Sequence, residues 1–332
     1  MDNQNDSLWE WSVFWHSNQL HSCMPVNNES DALAPIWRNF FSELPSGAKI
    51  LDLGTGNGSL AVQAVAVSHK KHPPFSIHGV DLADIAPAKY VANAKEQLSD
   101  VIFHPRTPME KLPFEADTFD AIGSQFAIEY STINESLREA CRVLKPGGRL
   151  RFLLHANDGI LKERCRQQYE QAQVILASEL FSITTQLLIA LNEAETCNTP
   201  QAIQTAENLI LSVKQVFDEL EKRFAGIEER SLIDNLFAAV RNLLGLRKSY
   251  EIQVIIKMNE DIKLLLLAQS KRLQSMQNAA LDDTTVTEMA EQLHQLNIDN
   301  VSLELATTNT GNRSIGYWLS GEKPQRVGEE IL

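Results

Sequence analysis

Short apolar runs separated by turn residues fill positions 47–155: Ile50–Leu53, Phe75–Leu82, Val101–His104, Thr118–Phe126 and the stretch that follows Arg149. Each is the length of a strand and bounded by Gly, Pro, Asp or Ser, so five strands are expected here. The alanine-rich Leu60–Val67 and the segment Asn134–Val143 read as helices between them. From about residue 156 to 296 the period changes to that of a helix. Phe217, Leu220, Phe224 and Ile227 fall at i, i+3, i+7 and i+10, and Leu232, Ile233, Leu236, Val240, Leu243 and Leu244 repeat the stripe. Asn198-Thr199-Pro200 and Gly245 punctuate this stretch, which predicts three to five helices. Period-two alternation returns at Asn300–Leu305 and Ile315–Ser320, on either side of the turn-rich Thr308–Ser314, and predicts a closing hairpin.

The most informative junction lies at the end of the first apolar run. Asp52-Leu53-Gly54-Thr55-Gly56-Asn57-Gly58 joins a buried strand to a helix through a turn with three glycines. Residues without a Cβ let a ligand approach the helix N-terminus closely. A dinucleotide site wants G-x-G-x-x-G, but Ser59 stands where that pattern has its last glycine. The second run ends in Asp81, a carboxylate placed at the strand tip to accept hydrogen bonds from two ribose hydroxyls.

This D-x-G-x-G-x-G pattern resembles the first motif of class I S-adenosylmethionine-dependent methyltransferases. Met109-Glu110-Lys111-Leu112-Pro113-Phe114 followed by Phe119-Asp120, and Leu144-Lys145-Pro146-Gly147-Gly148, are similar to further motifs of the branch that holds the ubiquinone/menaquinone C-methylating enzymes. The resemblance implies an α/β fold: a doubly wound, seven-stranded, mostly parallel sheet whose seventh strand runs antiparallel between strands five and six. A large α-helical insertion then follows strand five. The expected division is 1–46 as an N-terminal aromatic helical lid, 47–155 with 284–332 as a discontinuous core, and 156–283 as the insertion. The implied cofactor is S-adenosylmethionine. Gly54, Gly56 and Gly58 would lie under its methionine part, with Asp52 orienting the loop or the ammonium group. Asp81 would hold the ribose and Leu82 would pack on adenine, while Ser124 and Gln125 would line the methionine end. Pro108 stands where the family often has an Asp or Asn for the adenine amino group, so Thr107 or the backbone around Met109 would take that task.

Methyl transfer from a sulfonium is an in-line displacement, and the protein mainly has to align the nucleophile and exclude water. Glu129 and Tyr130 after strand four, His155 at the end of strand five, and His16 or His21 from the N-terminal segment are the candidate proton acceptors. Trp9, Trp11, Phe14 and Trp15 form an aromatic cluster that reads as a lid over the substrate or as a helix docked on the core. Cys23, Cys141, Cys165 and Cys197 are scattered without metal spacing, so no metal is expected.

A net charge of −13 argues against nucleic-acid and anionic-lipid partners. An acidic, polar N-terminus and the lack of a long apolar run give the expectation of a cytoplasmic chain with no membrane span. The insertion's stripes would be buried against each other or against a second copy, so a homodimer through the insertion is also an expectation. The reading is methyl transfer to an O, N or C nucleophile of a small apolar or aromatic metabolite. Strand four ends Ser124-Gln125-Phe126-Ala127 and lacks the N-P-P-Y type of motif used on base or glutamine amides. The alternatives are a protein methyltransferase, or an S-adenosylmethionine-binding scaffold whose helices bind a partner.

Overall fold

A computed structural model describes residues 8–17, 19–21, 29–307 and 313–325. The chain divides into two compact units: one runs to Glu163 and resumes at Ser275, and the other is Arg164–Gln274.

The first unit is built on seven strands: β1 (Lys49–Leu53), β2 (Ser76–Val80), β3 (Val101–His104), β4 (Phe119–Gln125), β5 (Leu144–Leu154), β6 (Asp299–Thr307) and β7 (Ser314–Glu322). Their order in the sheet is β3-β2-β1-β4-β5-β7-β6. β1 through β5 pair in parallel, and β7 runs antiparallel to both β5 and β6. All seven expected strands are present, and the closing hairpin takes the predicted place. Leu144–Gly148, which lies before the fifth run read from the sequence, is part of β5, which pairs Leu144 with Phe119 and shifts register before Ala121.

Alternate residues of the central strands face opposite cores, the reason apolar residues stand side by side at Ile50-Leu51 in β1 and Ala121-Ile122 in β4. Ile50, Ala121, Leu153 and Trp318 join a cluster with Trp37, Phe41, Leu60 and Val65. Leu51, Ile122, Phe152, Leu154 and Leu319 join another with Leu137, Val143, Val286 and Leu293. The first face is therefore covered by α2 (Glu29–Ser42) and α3 (Ser59–Ser68), and the second by α6 (Ile133–Val143) and α12 (Asp283–Gln295). α1 (Trp9–Trp15) and the short α4 (Pro87–Tyr90) and α5 (Lys95–Leu98) complete the unit. The 1–46 segment is thus of two kinds. α2 is core, with Trp37 and Phe41 almost fully buried, so among the described residues before it only 8–17 and 19–21, which include α1, are left of the expected lid.

The second unit holds most of α7 (Ile160–Ala177) and α11 (Ile252–Ala279), with α8 (Leu180–Cys197), α9 (Pro200–Arg223) and α10 (Ser231–Leu246). Thr199 caps α9 by accepting from Ala202 N at 3.2 Å, with Pro200 in the first turn. Leu220, Phe224, Ile233 and Phe237 are buried together with Phe181 and Leu266, so the predicted stripes face one another. This unit is narrower than the 156–283 span read from the sequence. Leu161 is buried in one sheet core and Leu281 in the other, and Ala156 bridges Leu281, so both ends of the helical stretch belong to the sheet. Among the described residues no single helix is long and apolar enough to cross a membrane.

Candidate active site

The strand order reverses between β1 and β4, and in open α/β sheets that switch point leaves a crevice at the carboxyl ends of the strands. A cavity of about 490 Å³ lies there. Gly54, Thr55, Asp81, Leu82, Met109 and Gln125 border it on the sheet side.

Three carboxylates organise this region. Asp52 is buried at the end of β1 and accepts from Thr55 Oγ1 at 2.7 Å. Burial pushes its carboxyl up to about 7, with the nearby charge of Asp81 adding to the rise and the Thr55 bond opposing it. Asp81 accepts the amide of Gly56 on Oδ2 at 2.7 Å and that of Ala83 on Oδ1 at 2.8 Å. Burial raises it to about 6 against the pull of those two amides. Each Asp81 oxygen keeps a second lone pair, and the residue borders the cavity. The third, Glu129, also borders the cavity, but its side chain is fully buried. Its Oε1 accepts from the backbone of His155 at 2.9 Å and meets His155 Nδ1 at 2.7 Å.

The structure brings only part of the sequence-derived site to the cavity. Gly54 borders it, and a Cβ there would meet that of Ala127 at 2.3 Å, so the β1 and β4 loops touch. Gly56 and Gly58 do not border it. A Cβ on Gly56 would strike the indole of Trp15 at 2.4 Å, and φ is +52° there, so that glycine makes room for a side chain of the chain's own lid. Leu98 stands 2.7 Å from the corresponding point on Gly58. Ser124 is also withdrawn: its hydroxyl donates to Leu53 O at 3.1 Å and accepts from Ile128 N at 3.2 Å, tying β4 to β1. Gln125 stays at the wall, its Oε1 accepting from Trp37 Nε1 at 2.6 Å. Thr107 lies off the cavity and bonds Pro105 O, while Met109 meets the cavity.

Among the proton-acceptor candidates, Tyr130 borders the cavity and its ring meets Trp11 edge to face at 5.4 Å. His155 is buried behind that wall, with Phe126 against it at 4.4 Å. Phe126 has φ +54°, a strained conformation for a bulky residue, at the tip of β4. His16 is exposed and stacks on Tyr90, away from the cavity, whereas His21 borders it. Cys23 lies outside the described residues. Among those residues no three His, Cys, Asp or Glu side chains gather as a metal site.

Sequence reading did not single out two features. Trp37, Leu33 and Ala34 of α2 and Ser275, Asn278 and Ala279 at the end of α11 close the cavity's outer side. Asn57, in the middle of the glycine loop, is fully buried and donates to the carbonyls of Trp15, Ser17 and Gln19 at 3.0, 3.4 and 2.7 Å. Nothing in the order of residues pairs Asn57 with a segment some forty positions earlier.

Residues 50–148 match the family model described as a methyltransferase domain, a span that includes the glycine loop, Asp81, Glu129 and Tyr130. The middle of this chain is a methyltransferase domain. Its similar proteins include the ubiquinone/menaquinone biosynthesis C-methyltransferase UbiE of Bartonella quintana, 35% identical over 114 residues, which is 34% of this chain and 43% of that protein. UbiE of Agrobacterium fabrum is 38% identical over 106 residues, 32% of this chain and 40% of that one. The mitochondrial 2-methoxy-6-polyprenyl-1,4-benzoquinol methylase of Caenorhabditis elegans is 30% identical over 128 residues, 36% of this chain and 42% of that one. The chain thus spans about two fifths of the length of these relatives. The methyltransferase domain's cofactor is S-adenosylmethionine, and the cavity's sheet side fits it: a bare approach at Gly54, an acceptor carboxylate at Asp81, and apolar Leu82 and Met109 beside it.

Proposed function

We propose that this protein transfers a methyl group from S-adenosylmethionine to an O, N or C nucleophile of a small apolar or aromatic molecule. The observation that carries the reading is one continuous cavity. On its sheet side stand Gly54, Asp81 and Met109; across it stand Trp11, Trp37 and Tyr130. Bound S-adenosylmethionine supplies an activated methyl group, which leaves the chain with holding, aligning and drying the reactants.

Each side chain has work of that kind. Asp81 offers lone pairs to a ribose while its amide partners fix its direction. Gly54 permits close contact at the amino-acid end, and Thr55, locked to Asp52, holds the loop in shape. The indoles of α1 and α2 form an apolar wall that orients a flat acceptor and keeps water out. Trp37 is set by its bond to Gln125, so the wall and the end of β4 move as one piece.

Calorimetry with S-adenosylhomocysteine, followed by turnover with methyl-labelled S-adenosylmethionine and a metabolite extract, tests the reading. Binding with label in the small-molecule fraction is the expected result. Label on protein would move the reading to a protein methyltransferase, and binding without any transfer would favour a scaffold.

A further inference from the structure

The far side of the cavity has a chemical character of its own, and it rests on the methyltransferase reading above. Among the described residues that border the cavity none is Lys or Arg, while Asp81, Glu110 and Glu129 are acids. The described part of the N-terminal segment adds to the bias: residues 8–17 and 19–21 contain no Lys or Arg but include Glu10. Asp81 is accounted for by the cofactor side. Glu110 and Glu129 are not, and they border the cavity with Trp11 and Tyr130, whose rings meet edge to face.

Glu129 adds an observation independent of composition. Only its Oε1 is bonded, to the backbone and ring of His155; Oε2 is buried and has no hydrogen-bond partner among the described residues. A buried carboxylate oxygen left without a donor is costly, and a ligand that brings a donor recovers that cost. Glu110 borders the cavity as well, and its Oε1 accepts from the amide of Thr132 at 2.9 Å. Aromatic rings beside carboxylates, with no competing cation, form the surroundings that hold an ammonium group. An acceptor carrying a carboxylate or phosphate would meet no Lys or Arg among the described residues that border the cavity.

We propose that the methyl acceptor is a small amine, recognised in its ammonium form by Glu129 and Glu110 against Trp11 and Tyr130. Loss of one N–H proton to Glu129 Oε2 frees the nitrogen lone pair. That pair forms the new N–C bond to the methyl carbon as the C–S bond breaks, and the C–S electron pair stays on sulfur. The product is a methylated amine.

Two measurements test this, beside the S-adenosylhomocysteine calorimetry that tests the underlying reading. In the first, labelled products from the metabolite extract are freed of unreacted S-adenosylmethionine, itself a cation, and then separated by charge. Label held on a cation exchanger at acid pH supports the proposal. Label in the neutral or anionic fraction overturns it while leaving methyl transfer intact, and no label with tight S-adenosylhomocysteine binding overturns both. In the second, quenching of tryptophan fluorescence follows the binding of benzylammonium, benzyl alcohol and benzoate at equal ionic strength. The cation should bind at least tenfold more tightly than the alcohol, benzoate should not bind, and Glu110→Gln and Trp11→Leu should each weaken the cation by threefold or more. Equal or tighter binding of the alcohol or of benzoate, no binding of the cation, or variants without effect would overturn the assignment.

Discussion

The side-chain amide of Asn57 donates to the carbonyl of Trp15, and the indole of Trp15 lies over the glycine beside Asn57. The loop expected to cradle a cofactor therefore also holds the cover of the cavity, through three carbonyls at the end of α1 and just after it. A net hydrogen bond contributes about 1 kcal/mol, and buried acceptors left unmade cost more. Asn57→Ala should cost about 1–3 kcal/mol of stability, shift tryptophan emission to the red and raise the acceptor KM more than the S-adenosylhomocysteine Kd. Asn57→Asp should be at least as damaging, because it turns a donor into an acceptor facing carbonyls. Unchanged emission and KM in both variants would show that the cover does not depend on this latch.

Asp81 carries two loads, and substitutions separate them. Its oxygens fix the amides of Gly56 and Ala83, and their remaining lone pairs are the acceptors proposed for the ribose. Asp81→Ala removes all of this and should weaken S-adenosylhomocysteine binding by about 2–4 kcal/mol, the worth of two charge-assisted bonds. Asp81→Asn keeps one acceptor and the shape, so its loss should fall between wild type and alanine. Calorimetry at pH 8 decides: wild-type affinity in the alanine variant would mean that the acid never meets the cofactor.

The strands and the two runs of the closing hairpin were readable because each rests on a local signal, whereas their order in the sheet came from the resemblance to the methyltransferase family. Period two, a turn glycine or an acid at a strand tip needs no knowledge of distant residues. Asp81 and Gly54 reach the cavity for the same reason, since a strand end at the switch point has nowhere else to face. Gly56, Ser124 and His16 show where this reasoning stops. A missing Cβ records close approach but not what approaches, and here it is Trp15 from forty residues upstream. A hydroxyl at a strand end has two choices, a ligand or a neighbouring carbonyl, and Ser124 took the carbonyl of Leu53. His16 and His21 are five residues apart in a segment of irregular backbone, where no periodicity says which one turns toward the cavity.

Stability should fall with rising pH across the weakly acidic range. Asp52 titrates ordinarily at 3.8 and in the folded chain at about 7; Asp81 moves from 3.8 to about 6. Between those values the folded state holds more protons than the unfolded one, so their contribution is fully present below about pH 4 and is lost as pH rises through 6 to 7. Asp52→Asn removes the larger part of that slope and leaves Thr55 an oxygen to bond. It should stabilise the protein at pH 8 by about 1–3 kcal/mol, below the ~4 kcal/mol that three pKa units would represent. Urea unfolding at pH 5 and pH 8 measures the gap. A variant less stable than wild type at pH 8 would show that the loop needs the ionised carboxylate.

Glu129 and His155 form a buried pair whose members depend on each other more than the fold depends on the pair. The side chains are 0% and 2% exposed, and the two nitrogens of His155 that reach Glu129 share one oxygen. Removing one partner of a buried pair typically costs about 3–5 kcal/mol, because the other charge is left uncompensated. His155→Ala should therefore be strongly destabilising. Adding Glu129→Gln to it should recover about 1 kcal/mol or more, since the amide still accepts from the backbone of residue 155 and carries no charge to strand. The coupling is read from denaturant unfolding of the two single variants and the double. Additive losses would mean that the two side chains are held by their separate surroundings, with the 2.7 Å contact between them contributing nothing of its own.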